Sequence, residues 1–182
     1  MSAYNSGQRL FGENRVQELT DKYSNLPKDI KWNMIGNLQS NKVKYIASFV
    51  DLIHSLDSLK LAREINKQAE KNNRVIDCLV QIKISKEETK HGVSFENFDE
   101  FYKNVKSLKS INIAGLMGMA SFTDDKNIIK DEFKLISSLY KKLKLVDKNI
   151  KYLSIGMSND YNLAINEGGN MIRIGSKIFG ER

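Results

Sequence analysis

Met157-Ser158-Asn159-Asp160 and the later Met171-Ile172-Arg173-Ile174-Gly175-Ser176 decide how the chain is read. Each is a short apolar run that ends in small, hydroxyl-bearing or glycine residues. Ser158 is a strong helix N-cap type, and Asp160 suits the first turn of a following helix. From Ile172 to Ser176 a β-branched strand runs into a glycine, where backbone N–H groups can approach a ligand closely. Two such strand ends side by side offer several unpaired N–H donors around one point, which makes a phosphate-sized anion site.

Outward from these stretches, two periodicities alternate. Strand-like runs are Gln8 to Phe11, Lys31 to Ile35, Phe49 to His54, Ile76 to Ser85, Ile111 to Leu116, Lys151 to Ile155 and Met171 to Ile174. Helical faces lie between them: Val16, Leu19 and Tyr23; Leu61, Ile65 and Ala69; Phe98, Tyr102 and Val105; Ile129, Phe133, Ile136, Tyr140 and Leu143. Asp57 and Ser94 stand where N-caps are expected. Strands alternating with helices predict parallel pairing through right-handed crossovers. Seven short apolar strands are too many for a small open sheet and one short of a TIM-type (β/α) barrel, so the fold class expected is α/β, a barrel with seven of its eight strands visible. A missing strand leaves two exposed edges, where a partner strand can associate.

Composition narrows the function classes. The chain has 182 residues, 41% hydrophobic and 28% charged, which suits one domain over residues 1–182. No apolar run reaches the roughly 20 residues of a membrane span. The single cysteine, Cys78, fits a reducing compartment and a small core residue, so a cytoplasmic, monomeric protein is expected. The net charge of +7 is spread over helical patterns, as at Lys141, Lys142 and Lys144, without interleaved exposed aromatics. That describes a solvated basic surface rather than a nucleic-acid footprint. With two histidines, His54 and His91, a multi-histidine metal site is not expected.

In a parallel barrel the ligand chemistry sits where strands end and βα loops begin. Those ends here are Gly12-Glu13-Asn14-Arg15, Gly36-Asn37-Leu38-Gln39, His54-Ser55, Ser85, Gly118-Met119-Ala120, Met157-Ser158-Asn159-Asp160 and Gly175-Ser176. Nearly every one places glycine or a polar residue straight after an apolar run, as a ring of loops around a shared pocket does.

Several of these segments carry a resemblance. Phe11 to Glu18, Ile35 to Lys42, Gly115 to Met119, Leu153 to Asp160 and Ile172 to Gly180 resemble, in order, the YggS-like pyridoxal phosphate homeostasis proteins. The resemblance implies the barrel of alanine racemase's N-terminal domain and binding of pyridoxal 5′-phosphate, buffered or delivered to client enzymes without catalytic turnover. It implies that Ser158 and the backbone at Gly175 and Ser176 hold the phosphate, with Met157, Asn159 and Asn14 lining the pocket. Arg173 then lies beside the pyridine nitrogen, keeping it unprotonated and weakening the cofactor as an electron sink. The family's Schiff-base lysine precedes the Gly-Gln-Arg-Leu-Phe-Gly-Glu-Asn motif. Here that motif starts at Gly7, so the chain is either a fragment of a longer protein or a variant without that lysine, and non-covalent binding is expected of this chain. Asn33, Asn37 and Ile155 stand where the family usually has other residues.

Blander roles compete at single positions. Asn14 can cap a helix with Gln17 as its capping-box partner, or line the pocket. His54 reads as a packed or capping residue. Met117, Met119 and Met157 read as packing at strand ends. From Cys78 to Ser85, Val80, Ile82 and Ile84 alternate with Gln81 and Lys83, which puts Lys83 on the barrel's inner face. There it can point its ammonium to the mouth or react with a bound aldehyde. Lys90 reads as a solvated loop charge or a lysine near the cofactor mouth. A racemase-like enzyme would need a covalent lysine and a second acid/base, and an interaction protein would use its open edges instead.

Overall fold

The structure, a computed structural model, describes residues 1–85, 87 and 91–180. Its strands are β1 (Leu10–Glu13), β2 (Lys31–Met34), β3 (Leu52–Leu56), β4 (Ile76–Ile82), β5 (Ile111–Gly118), β6 (Tyr152–Met157) and β7 (Met171–Arg173). They pair in chain order, every neighbour parallel. The helices are α1 (Ser2–Asn5), α2 (Val16–Asn25), α3 (Leu59–Lys71), α4 (Phe98–Lys106), α5 (Lys126–Val146), α6 (Tyr161–Asn166) and α7 (Ser176–Phe179). The result is a nearly closed TIM-type barrel. Among the described residues β1 and β7 do not pair with each other, and Leu10 and Ile172 on these outer strands are 47% and 37% exposed.

Side chains on successive strand positions point to opposite faces, so each strand divides its residues between two cores. The outer core lies under the helices. Val80, Ile82, Leu116, Leu153 and Ile155 meet Leu19, Ile65, Phe133 and Ile136 there, all buried. Burying each large aliphatic side chain contributes about 1.5–3 kcal/mol. The inner core is smaller: Leu52, Leu79, Ala114 and Met117, with Tyr152 and Met171 packed against it. Since Leu79 faces inward, Gln81 follows it onto the inner face, while Lys83 lies just beyond the end of β4.

All seven expected strands form, with shifted ends. Phe49 and Val50 leave the third strand because the Ser40–Tyr45 3-10 turn extends into them, through Val50 N–H donating to Ile46 O at 2.9 Å. Phe49 instead stacks on Tyr23, with ring centroids 3.8 Å apart.

The expected caps need correction. Ser58, not Asp57, caps α3 by accepting from Leu61 N–H at 3.4 Å. Ser94 accepts from Asn97 N–H in a turn that precedes α4, and Asn97 holds the cap position. Asn14 caps nothing: Arg15, in extended conformation, precedes α2, and Gln17 donates to Asp21 rather than forming a capping box.

Candidate functional site

Strands β6 and β7 lie side by side, so the loops that leave their C-terminal ends share one corner of the barrel. Asn170 holds the pair in register: its side-chain oxygen accepts from Leu153 N–H at 2.7 Å, and its amide donates to Lys151 O at 2.7 Å. Gly156 has φ +88°, which turns the end of β6 sharply against α6. A Cβ there would lie 2.5 Å from the Ala164 Cβ.

Beyond that turn Ser158 is buried, and its Oγ accepts from Gly175 N–H at 3.3 Å. The hydroxyl thus joins the two loops instead of capping α6. The cap position belongs to Asp160, whose carboxylate accepts from Met157 N–H at 2.6 Å. Met157 therefore offers no free N–H, and its side chain is 42% exposed rather than packed. Among the described residues no acceptor lies against the N–H groups of Ser158, Asn159, Ser176 or Lys177. A Cβ built on Gly175 would meet nothing within 4 Å, so open space lies beside it.

Beneath these loops Arg173 reaches back across the sheet. Its Nη1 donates to Ser154 O at 2.8 Å and to Ser154 Oγ at 2.6 Å, and its Nη2 donates to Gly118 O at 3.0 Å. Nε and the second hydrogen of Nη2 have no acceptor among the described residues, which leaves two N–H groups of a fixed guanidinium plane to present elsewhere. Burial lowers the Arg173 pKa to about 10, with the Asp160 charge opposing, so the group is a cation at neutral pH.

Ser154 in turn lies 3.1 Å from His54 Nδ1, across the barrel on β3. His54 is buried, and burial, reinforced by the Arg173 charge, lowers its pKa to about 3. Neither His54 nor Ser154 stands out as a site residue in the sequence. The only hint is the inward alternation of Tyr152 and Ser154 on β6.

The structure thus brings Met157, Ser158, Asn159, Arg173, Gly175 and Ser176 into one corner. Asn14 follows the end of β1, exposed and without a side-chain hydrogen bond among the described residues. Lys83 follows β4, half-buried, its N–H donated to Val93 O at 2.9 Å, with no ion-pair partner among the described residues. Lys90 lies outside the described residues. No group of three or more potential metal ligands is found among those described, and no described helix is long and apolar enough to cross a membrane.

Chemically, the corner offers uncommitted backbone donors around open space and one half-buried cation with two spare N–H groups. That combination suits a small anion joined to a hydrogen-bond acceptor.

Comparison with known proteins gives the same direction. The family model of the alanine racemase N-terminal domain matches residues 1–182. The pyridoxal phosphate homeostasis protein of Aquifex aeolicus is 42% identical over 181 residues, covering 98% of this chain and 79% of the relative. PipY of Synechococcus elongatus PCC7942, solved with pyridoxal phosphate bound, superposes with a TM-score of 0.86 at 31% identity, covering 98% of this chain and 85% of PipY. Alanine racemase of Clostridium difficile 630 shares the fold at a TM-score of 0.76 and 16% identity, over 98% of this chain and 46% of the enzyme. In sequence and in fold alike, the chain belongs to the alanine racemase N-terminal domain family and, within it, to the pyridoxal phosphate homeostasis proteins.

Proposed function

We propose that this chain binds pyridoxal 5′-phosphate non-covalently and serves vitamin B6 homeostasis in the cytoplasm without turning a substrate over. The relatives' name and the cofactor bound to PipY support this reading. The residues present fit the group. Ser158, Asn159 and Ser176 supply backbone N–H donors for the phosphate, and the open space beside Gly175 is where a Cβ would intrude. Of the two N–H groups that Arg173 leaves uncommitted, Nε–H is the one assigned to the ring nitrogen.

One observation carries the proposal: the 3.3 Å contact from Gly175 N–H to Ser158 Oγ, which draws both donor loops around a single point. When bound, the cofactor supplies an aldehyde that reacts with amines. What the protein's residues do is bind and orient it. A permanent cation at the ring nitrogen prevents that nitrogen from taking a proton, so the bound ring is a poor electron sink. This favours carriage over catalysis. Residues 1–182 act as one ligand-binding unit and a monomer; PLP-dependent client enzymes are the partners proposed, and the unpaired edges of β1 and β7 are where strand association would occur.

Thermal melts with and without pyridoxal phosphate test binding. A saturating ligand at a hundred times its Kd stabilises the native state by about 2.7 kcal/mol. Borohydride reduction followed by peptide mapping tests the mode. Non-covalent binding leaves no reduced adduct, whereas an adduct on Lys83 overturns that part. An unchanged melting temperature at saturating cofactor overturns the whole assignment.

A further inference from the structure

The hydrogen bonds behind Arg173 have a direction. Arginine only donates, so Ser154 Oγ accepts from Nη1 and keeps its own hydrogen for the neighbour on its other side. That neighbour is His54 Nδ1, 3.1 Å away, which accepts it when the ring carries its proton on Nε2. In that tautomer the imidazole is neutral, and all donors in the chain from Arg173 to Ser154 to His54 point the same way. Bonds arranged like this polarise one another in a low-dielectric interior. The contact spans the barrel from β3 to β6. Among the described residues, the Nε2 of His54 is buried with no hydrogen-bond partner, as is Asn33 Oδ1 on β2. Ordinary core packing does not require a histidine there, since an apolar side chain would fill the volume without leaving a donor unpaired.

From this geometry, and resting on the pyridoxal phosphate reading above, we infer that His54 is a positioning residue. It accepts the Ser154 hydroxyl hydrogen, thereby fixes the guanidinium plane of Arg173, and so aims the Arg173 Nε–H at the ring nitrogen of the ligand. His54 touches neither the ligand nor the phosphate loops. It acts through two other side chains, and its loss should affect recognition of the ring while sparing recognition of the phosphate.

Two variants separate this role from a merely structural one. His54→Leu removes the acceptor. His54→Asn keeps an acceptor oxygen close to the position of Nδ1. Pyridoxal phosphate and inorganic phosphate are each titrated against the wild type and both variants, with circular dichroism confirming the fold. The expected result is about a tenfold weaker affinity of His54→Leu for pyridoxal phosphate, unchanged affinity for inorganic phosphate, and recovery of most of the loss in His54→Asn. Equal weakening of both ligands, no weakening of either, or no recovery in His54→Asn overturns the proposal. Nitrogen NMR of the free wild-type protein supplies an arm that needs no ligand. A neutral His54 ring protonated at Nε2, perturbed by Ser154→Ala, supports the relay, whereas a charged ring or a proton on Nδ1 overturns it. If the relay is present by NMR and the wild type binds no pyridoxal phosphate, the cofactor reading fails, and the assigned role toward a ligand fails with it.

Discussion

Gly175 donates its backbone N–H to Ser158 Oγ at 3.3 Å, so a glycine on one loop and a hydroxyl on its neighbour hold the two in a common corner. Ser158→Ala breaks that link. One neutral hydrogen bond lost at a partly buried position lowers stability by about 1 kcal/mol. Pyridoxal phosphate affinity should drop by about tenfold or more, because the donors no longer converge. Gly175→Ala makes the complementary test. Its φ of −122° lies outside the left-handed region that favours glycine, and the added Cβ meets open space. The melting temperature should stay unchanged while cofactor affinity falls, read by thermal melts beside an absorbance titration.

Gly156 should behave in the opposite way. With φ +88° and only 2.5 Å from a built Cβ to the Ala164 Cβ, Gly156→Ala adds both backbone strain and overlap. A loss of about 3 kcal/mol or more is expected in urea unfolding. Cofactor binding should fail only as far as the fold does.

The buried His54 makes stability depend on acid. Its pKa is about 3 in the folded chain against 6.5 for an ordinary histidine, so between these values the unfolded state binds the extra proton. The contribution is whole above about pH 6.5 and falls as pH drops toward 3, with a slope of at most about 1.4 kcal/mol per pH unit. Urea midpoints measured from pH 7 to 4 should show this slope in the wild type and a flatter one in His54→Asn. Identical slopes would rule it out.

Asp147 joins the C-terminal end of α5 to α4. Tyr102 Oη and Lys106 Nζ both donate to its Oδ2, the latter at 2.7 Å. Burial alone would raise the carboxyl's pKa, but the Lys106 and Tyr102 hydrogen bonds outweigh it and bring it down to about 2. The stabilisation is present above the ordinary value near 3.8 and is lost as pH falls through about 2. Tyr102→Phe should cost about 1 kcal/mol at neutral pH and move acid unfolding to higher pH.

The seven strands and the large helices were legible because each is a run of apolar residues with one clear period, such as Ile129, Phe133, Ile136, Tyr140 and Leu143 on one face of α5. The corner formed by Ser158 and Gly175 was legible too, since both sit where an apolar run gives way to small residues. Caps were not. Asp57 and Ser58 are equally good cap residues by type, and only the extended backbone of Ser58 distinguishes it. The role of Ser158 was misread for a related reason: a hydroxyl before a helix suggests a cap, while the adjacent Gly175 N–H that takes it is contributed by another loop. The His54 to Ser154 link joins residues a hundred positions apart, and nothing in local spacing announces it.

Among the described residues, strands that pair strictly in chain order leave β7, three residues long, as an outermost rung held on one side. Such a rung frays before the rest of the sheet opens. Arg173 lies on it and Gly175 just beyond, so this corner should exchange its amide hydrogens with solvent sooner than β4 or β5. A ligand gripping both loops would act as a clasp on that fraying end, and protection of β7 would become the earliest sign of occupancy.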